Sequence, residues 1–228
     1  MNVFYTCDDN YVWLMGISTI SLFENNKSID QLSVYLLGVN ISCTNKAALE
    51  EIAKKYNRNI YIIDVPHIDI PESLVSKRWP LSAFTRLFAA TLLPQDVQTA
   101  LYLDCDTIVT NSLAELMDIN VSEYIFYGVK DCIGGKYKQN LGLSKDAIYI
   151  NAGVILMNLN LLREIDVKET INDYLTDYGN IINYADQDLL NGAFTQYINC
   201  INLKYNIMTL IVSHSYDEIM LLRKPTNY

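Results

Sequence analysis

Paired cysteines, histidine, proline and glycine are scarce in this chain, and each scarcity removes a class of protein. The five cysteines (Cys7, Cys43, Cys105, Cys132 and Cys200) are odd in number, and no two sit at CxxC spacing. Neither a disulfide framework nor a structural zinc site is expected, and a reducing cytosol is. The five prolines are dispersed, so no linker marks a domain boundary. No GxGxxG follows the first predicted strand and no GxxxxGK[ST] occurs anywhere, which argues against the usual dinucleotide fingerprint and the P-loop. The apolar stretch from Tyr11 to Phe23 is broken by Ser18, Thr19 and Ser21 and is too short to span a bilayer. The start, MNVFYTCDDN, has no basic patch followed by an apolar run. No signal peptide is expected, and the expected localisation is cytoplasmic.

Positive charge is also short. Seventeen Lys and Arg stand against 26 Asp and Glu, a net charge of −9. That balance argues against nucleic acid, or an anionic membrane, as the main partner. Apolar residues are plentiful. Half the chain is hydrophobic and 11% is aromatic, which excludes a disordered polymer. A chain of 228 residues suits one large domain or two small ones, and with no visible boundary one domain over 1–228 is expected.

Two periodicities alternate along the sequence. Short continuous apolar runs at 3–6, 32–37, 60–64, 100–103, 124–129 and 148–157 predict buried strands. Helices are predicted over 11–23, 44–56, 81–92, 161–178 and 186–194, with Thr44 as a cap. In 81–92 the residues Leu81, Phe84, Phe88 and Leu92 form one stripe. Trp13 is expected in the core, and Gly134–Lys138 as a mobile loop. The order predicts an α/β fold with a mixed, mostly parallel sheet flanked by helices.

Ligands of such sheets gather beyond the carboxyl ends of the strands. The polar residues expected there are Asp8, Asp9 and Asn10; Asp104 and Asp106; Lys130 and Asp131; and Asn151, Ala152 and Gly153 within the 148–157 strand. With no phosphate-binding glycine loop, a phosphate-bearing ligand needs a divalent cation held by carboxylates. Leu103-Asp104-Cys105-Asp106 supplies the pair, because residues two apart in an extended chain point to one side. A hard cation such as Mn2+ or Mg2+ accepts these oxygens. The bare spacing recurs at Asp186/Asp188. Only the first pair has a hydrophobic strand running straight into it.

Five segments then line up in order: CDDNY (7–11), FTRLFAATLLP (84–94), LYLDCDTIVTNSLAELMD (101–118), NAGVILMNL (151–159) and DQDLLNGAF (186–194). Together they resemble glycosyltransferase family 8, the retaining galactosyl- and glucosyltransferases of bacterial surface polysaccharides. The resemblance implies a GT-A fold and transfer of galactose or glucose from a UDP-sugar to a saccharide acceptor. It implies that Asp104 and Asp106 bind Mn2+ (or Mg2+) on the donor diphosphate, with Cys105 between them at the donor. Thr6, Asp8 and Asn10 would sit by the uridine. Arg86 would reach the donor phosphate or sugar, and Asp131 the sugar hydroxyls. Asn151, Ala152 and Gly153 would line the sugar pocket. Gln187 would lie beside the anomeric carbon, supported by Asp186 and Asp188.

One family feature is missing. The resemblance would place a segment like His-x-x-Gly-x-x-Lys-Pro-Trp at the end, its His a third metal ligand, with basic and aromatic residues for peripheral docking at the inner face of a membrane. Neither Lys224-Pro225 nor His214 has that context, and His67 reads as a loop residue. A truncated chain, a shortened gene and a partner-completed enzyme all fit this reading. A non-catalytic nucleotide-sugar-binding domain is the alternative, and a nucleotidyltransferase a third.

Overall fold

The computed structural model describes residues 1–66, 68, 70, 74–75 and 80–209. His67, His214 and the Lys224-Pro225 pair lie outside the described residues. Seven strands form one sheet: β1 (Asn2–Asp8), β2 (Ser33–Val39), β3 (Asn59–Asp64), β4 (Thr99–Leu103), β5 (Phe126–Lys130), β6 (Ile150–Asn158) and β7 (Ile198–Cys200). Their spatial order is β3-β2-β1-β4-β6-β5-β7. β6 runs antiparallel to both β4 and β5, and the other pairs are parallel. The reversal places the start of β6, with Asn151–Gly153, at the same edge as the carboxyl ends of β1, β4 and β5. The expected mixed, mostly parallel sheet is what the chain forms.

Strand alternation builds two apolar layers. Phe4, Tyr102, Ile155 and Phe126 face one side, and Val3, Tyr5, Leu101, Leu103 and Leu156 face the other. The second face is covered by α1 (Val12–Asn25) and α2 (Cys43–Tyr56), whose residues Met15, Leu22, Phe23 and Leu49 join that layer. Ser42 caps α2 by accepting from the Asn45 amide, and Asn57 closes it in the left-handed region. The first face is covered by α3 (Leu81–Phe84), α4 (Ala89–Leu92), α6 (Leu159–Arg163), α7 (Val167–Tyr178) and α8 (Ala185–Ala193), with α5 (Gly135–Asn140) over the site edge.

Several expectations are corrected. The single helix expected over 81–92 is broken by a 3-10 turn at Thr85–Phe88. That tighter turn buries Thr85, Arg86 and Leu87 in succession, which one amphipathic stripe could not do. The helix expected over 161–178 is two, because Asn158 caps α6 and Asp166 caps α7 anew. Gly134–Lys138 enters a helix rather than a loop. The Lys138 stem is buried and its ammonium donates to the Ala147 carbonyl at 2.7 Å. Trp13 is 64% exposed, not core, because Val12, Met15 and Gly16 take the inward face of α1. The three-residue β7 was not foreseen. Among the described residues no helix is long and apolar enough to cross a membrane.

Candidate active site at the strand ends

The site forms where β1 and β4 lie side by side while their connections lead to opposite halves of the sheet, which is the topological switch point. Asp104 follows β4 directly. Its amide donates to the Gly153 carbonyl at 2.8 Å, which stitches the loop to the start of β6. Its Oδ1 accepts from Tyr102 OH at 2.6 Å and from Arg86 Nη1 at 2.9 Å. Arg86 is the hub. Nη1 also donates to the Ala152 carbonyl at 2.8 Å, and Nε to the Ala83 carbonyl at 3.0 Å and to Asp186 Oδ2 at 3.1 Å. Its guanidinium carbon lies 4.2 Å from the centre of the Tyr102 ring.

One guanidinium therefore serves two carboxylates in a dry setting. Burial works against the charge on Arg86, but Asp104 and then Asp186 outweigh it and hold the group firmly protonated. Asp186 is wholly buried, and that burial outweighs Arg86 and pushes its carboxyl up to about 6. Asp106 is more exposed. Partial burial, then the neighbouring charge of Asp104, raise its carboxyl from the ordinary range.

Gln187 projects from the first turn of α8. The turn is entered through Ala185 at φ 42, a left-handed conformation that costs a residue with a Cβ about 1–2 kcal/mol. The Gln187 amide is fully coordinated. Oε1 accepts from the Ala152 amide at 3.0 Å and Asn151 Nδ2 at 3.3 Å. Nε2 donates to Asp131 Oδ2 at 3.1 Å and Tyr149 OH at 3.4 Å. Asn151 Nδ2 also donates to Asp131 Oδ2 at 3.1 Å, and Asn151 Oδ1 accepts from Asn206 Nδ2 at 2.8 Å and the Gly153 amide at 3.0 Å. Asp131, Asn151, Ala152, Gly153, Gln187, Asp186, Arg86 and Asp104 are thus one connected network.

Comparison with known proteins follows the same geometry. The sequence profile described as glycosyl transferase family 8 matches residues 2–224. The chain belongs to glycosyl transferase family 8. It is 29% identical over 225 residues to a lipopolysaccharide 1,2-glucosyltransferase of Escherichia coli, covering 95% of this chain and 65% of the relative. It is 26% identical over 215 residues to a lipopolysaccharide 1,3-galactosyltransferase of Salmonella typhimurium, covering 90% and 63%. The chain thus spans a little under two thirds of these relatives' length. A crystal structure of galactosyltransferase LgtC with donor and acceptor sugar analogues superposes with a TM-score of 0.78 at 27% identity, covering 90% of this chain and 74% of that one. The fold is GT-A, as the resemblance implied.

Within this family 8 frame the remaining expected residues separate. Asp8 accepts from the Asn10 amide at 2.9 Å in a local turn at the end of β1, and neither side chain joins the network. Asp9 belongs to the scaffold, since its Oδ1 takes the Ser42 amide at 2.8 Å and Asn45 Nδ2 at 2.7 Å. Thr6 is buried, with Oγ1 3.5 Å from Tyr102 OH. The Cys105 thiol points back under β1 to the Thr6 carbonyl at 3.7 Å, so what Cys105 offers the edge is backbone. Asp188 is fully buried and faces away from the opening. Tyr102, Tyr149, Tyr137, Asn206 and Asn191, which accepts from the Ile150 amide at 2.7 Å and donates to the Gln187 carbonyl at 2.9 Å, also shape the site and were not given a site role from sequence. The signal for two of them was present. Tyr102 and Tyr149 each stand two residues before a site residue at a strand end, where alternation along an extended chain puts both on one side.

Asp104 and Asp106 bring hard oxygen donors to this edge, the donor type a hard cation takes. Oδ1 of Asp104 is held from behind, while Oδ2 occupies the space a Cβ on residue 153 would invade, 2.9 Å from that position. Glycine there keeps the oxygen's side open. Among the described residues no three His, Cys, Asp or Glu side chains gather as a metal cage. Two carboxylates alone would leave the remaining positions of a Mn2+ or Mg2+ ion to ligand oxygens and water.

Proposed function

We propose that residues 1–228 form one catalytic domain of a retaining hexosyltransferase, moving galactose or glucose from a UDP-sugar to a saccharide acceptor of a cell-surface glycan. The names of the glucosyl- and galactosyltransferase relatives support the sugar class. Thr6, Asp8 and Asn10 border the uridine, and Asp131, Asn151, Ala152 and Gly153 line the hexose. Asp104 and Asp106 would hold Mn2+ or Mg2+, a group that would supply positive charge opposite the donor diphosphate. Arg86 adds a fixed positive charge behind Asp104 and keeps that carboxylate aimed at the edge.

The observation that carries the reading is the group presented to the sugar. A double-displacement enzyme needs a free carboxylate near the reacting carbon. Here Asp186 is tied to Arg86, Asp131 accepts from the Cys132 amide on one oxygen and from Asn151 and Gln187 on the other, and Asp188 accepts four hydrogen bonds in the interior. The group at the edge is the amide of Gln187, a poor nucleophile. The acceptor hydroxyl therefore attacks on the face the leaving group departs from. The acceptor oxygen–carbon bond forms, the carbon–phosphate oxygen bond breaks, and the acceptor's proton passes to the leaving phosphate. Gln187 lies beside the oxocarbenium-like carbon with its amide dipole fixed. Metal-dependent release of UDP from UDP-galactose or UDP-glucose tests this, with Gln187→Ala as the informative variant. Strong loss of turnover with UDP binding retained is expected. Near-normal turnover refutes the role of Gln187, and pyrophosphate release from UTP would point to nucleotidyl transfer instead.

A further inference from the structure

The Asp188 carboxylate is closed off from solvent, and four donors converge on its two oxygens. Its Oδ2 accepts from the amides of Asn183 and Tyr184, both at 2.8 Å, and from Tyr137 OH at 2.6 Å. Its Oδ1 accepts from Tyr149 OH at 2.6 Å. A carboxylate can only accept, so both phenols spend their single proton on it. Each phenol oxygen then has only lone pairs to offer elsewhere. For Tyr149 the next neighbour is Gln187 Nε2, at 3.4 Å. The amide must turn its N–H toward Tyr149 and Asp131, and its carbonyl toward the Ala152 amide.

We propose that Tyr149 is a positioning residue that relays the buried charge of Asp188 to the Gln187 side chain and, with Asp131 and the Ala152 amide, fixes which end of that amide faces which partner. The chain of donors runs one way: Gln187 Nε2–H to Tyr149 Oη, and Tyr149 Oη–H to Asp188 Oδ1. Tyr137 completes the arrangement from α5. Its ring meets Tyr184 edge-on at 5.6 Å between centroids, so α5 is joined to the segment that leads into α8. The same carboxylate gathers the 183–184 amides just before the left-handed Ala185, so one buried charge secures both the strained turn and the amide it presents. This inference rests on the proposed role of Gln187.

The experiment uses the full 228-residue chain with Mn2+ and either UDP-galactose or UDP-glucose. It compares wild type, Tyr149→Phe and Tyr137→Phe for kcat and KM of UDP release, and for UDP affinity and stoichiometry by calorimetry. Tyr149→Phe keeps the ring and removes the relay. We expect kcat to fall at least tenfold while UDP stoichiometry stays at one and KM moves less than threefold. Tyr137→Phe removes a different donor from the same carboxylate and leaves the Tyr149 bond in place, so it should lower kcat clearly less than Tyr149→Phe, and an equal fall in both overturns the relay. Unchanged kcat in Tyr149→Phe overturns the relay. So does a fall in kcat matched by an equal fall in UDP stoichiometry, which marks a folding role only. If Tyr149→Phe does not fold, the side-chain amide protons of Gln187 in the wild-type chain decide. Protection of the Nε2 proton facing Tyr149 from solvent exchange supports the relay, and exchange of that proton at the rate of a free glutamine amide overturns it. A wild type that binds UDP but releases none from either sugar fails the reading of Gln187 itself, and the relay with it.

Discussion

Gly153→Ala is the sharpest steric probe of the Asp104 carboxylate. A Cβ at 153 would stand 2.9 Å from Asp104 Oδ2 and 3.0 Å from Asn151 Oδ1, roughly half an ångström inside the 3.4 Å at which ordinary contact begins. Backbone conformation is not at issue, because the left-handed glycine of the described chain is Gly142 and not Gly153. Neither oxygen can retreat freely. Asp104 is held through Oδ1 by Tyr102 and Arg86, and Asn151 Oδ1 accepts from Asn206 and from residue 153's own amide. Over-packing of a well-filled site costs about 1–3 kcal/mol. For a chain of this size that lowers the thermal midpoint by about 2–12 °C, at ~2–4 °C per kcal/mol. The larger effect is expected on the ligand. Displacing Oδ2 by a few tenths of an ångström should weaken Mn2+-dependent UDP binding at least tenfold, or about 1.4 kcal/mol. Gly134→Ala is the control, since a Cβ there meets nothing within 4 Å. Calorimetry and thermal melting of both variants provide the assay. Wild-type UDP affinity in Gly153→Ala would refute the claim that this oxygen faces the cation.

Other outcomes follow from the same geometry. Gln187→Ala should lower kcat for UDP release by about 100-fold or more, the scale of losing one preorganised polar group at a reacting centre, with UDP affinity within threefold of wild type in calorimetry. Arg86→Met should destabilise by about 3–5 kcal/mol, because Asp104 and Asp186 lose their shared cation, and melting should register a fall of roughly 6–20 °C. The buried Asp186 carboxyl sits at about 6 against an ordinary 3.8, so the folded state holds its proton more tightly. Stability from this group is therefore greatest below pH 4 and is lost as pH rises through 6, by about 3 kcal/mol at ~1.4 kcal/mol per unit. Urea titrations of Asp186→Asn across pH 4–7 should show that slope flattened, and an unchanged slope would remove Asp186 as its source.

The sheet was legible because parallel strands buried on both faces leave continuous apolar runs, and VFYT, LSVYLL and ALYL are such runs. The 81–92 segment was misread because the stripe of Leu81, Phe84, Phe88 and Leu92 hides the demand of Arg86 for two carboxylates, which the 3-10 turn satisfies. The short β7 was invisible because three residues carry no period, and only pairing with β5 makes them a strand. The site was partly legible. Asp104 stands out by following an apolar strand, and the five-segment resemblance drew in Arg86, Asp131, Asn151 and Gln187. Nothing local in the sequence separates Asp186, salt-bridged to Arg86, from Asp188, wrapped in phenols and backbone amides. That division depends on which side of one helical turn each faces, fixed by the left-handed Ala185. Tyr137 and Tyr149 were lost among 17 tyrosines.

Calorimetric titration of UDP into the 228-residue chain, with Mn2+ and again with EDTA, tests the central claim most directly. Binding at one site that requires Mn2+ and disappears with EDTA is the predicted result, and it would establish Asp104 and Asp106 as a working metal-dependent donor site in this chain. The absence of UDP binding in both conditions, or equal binding in both, would contradict it.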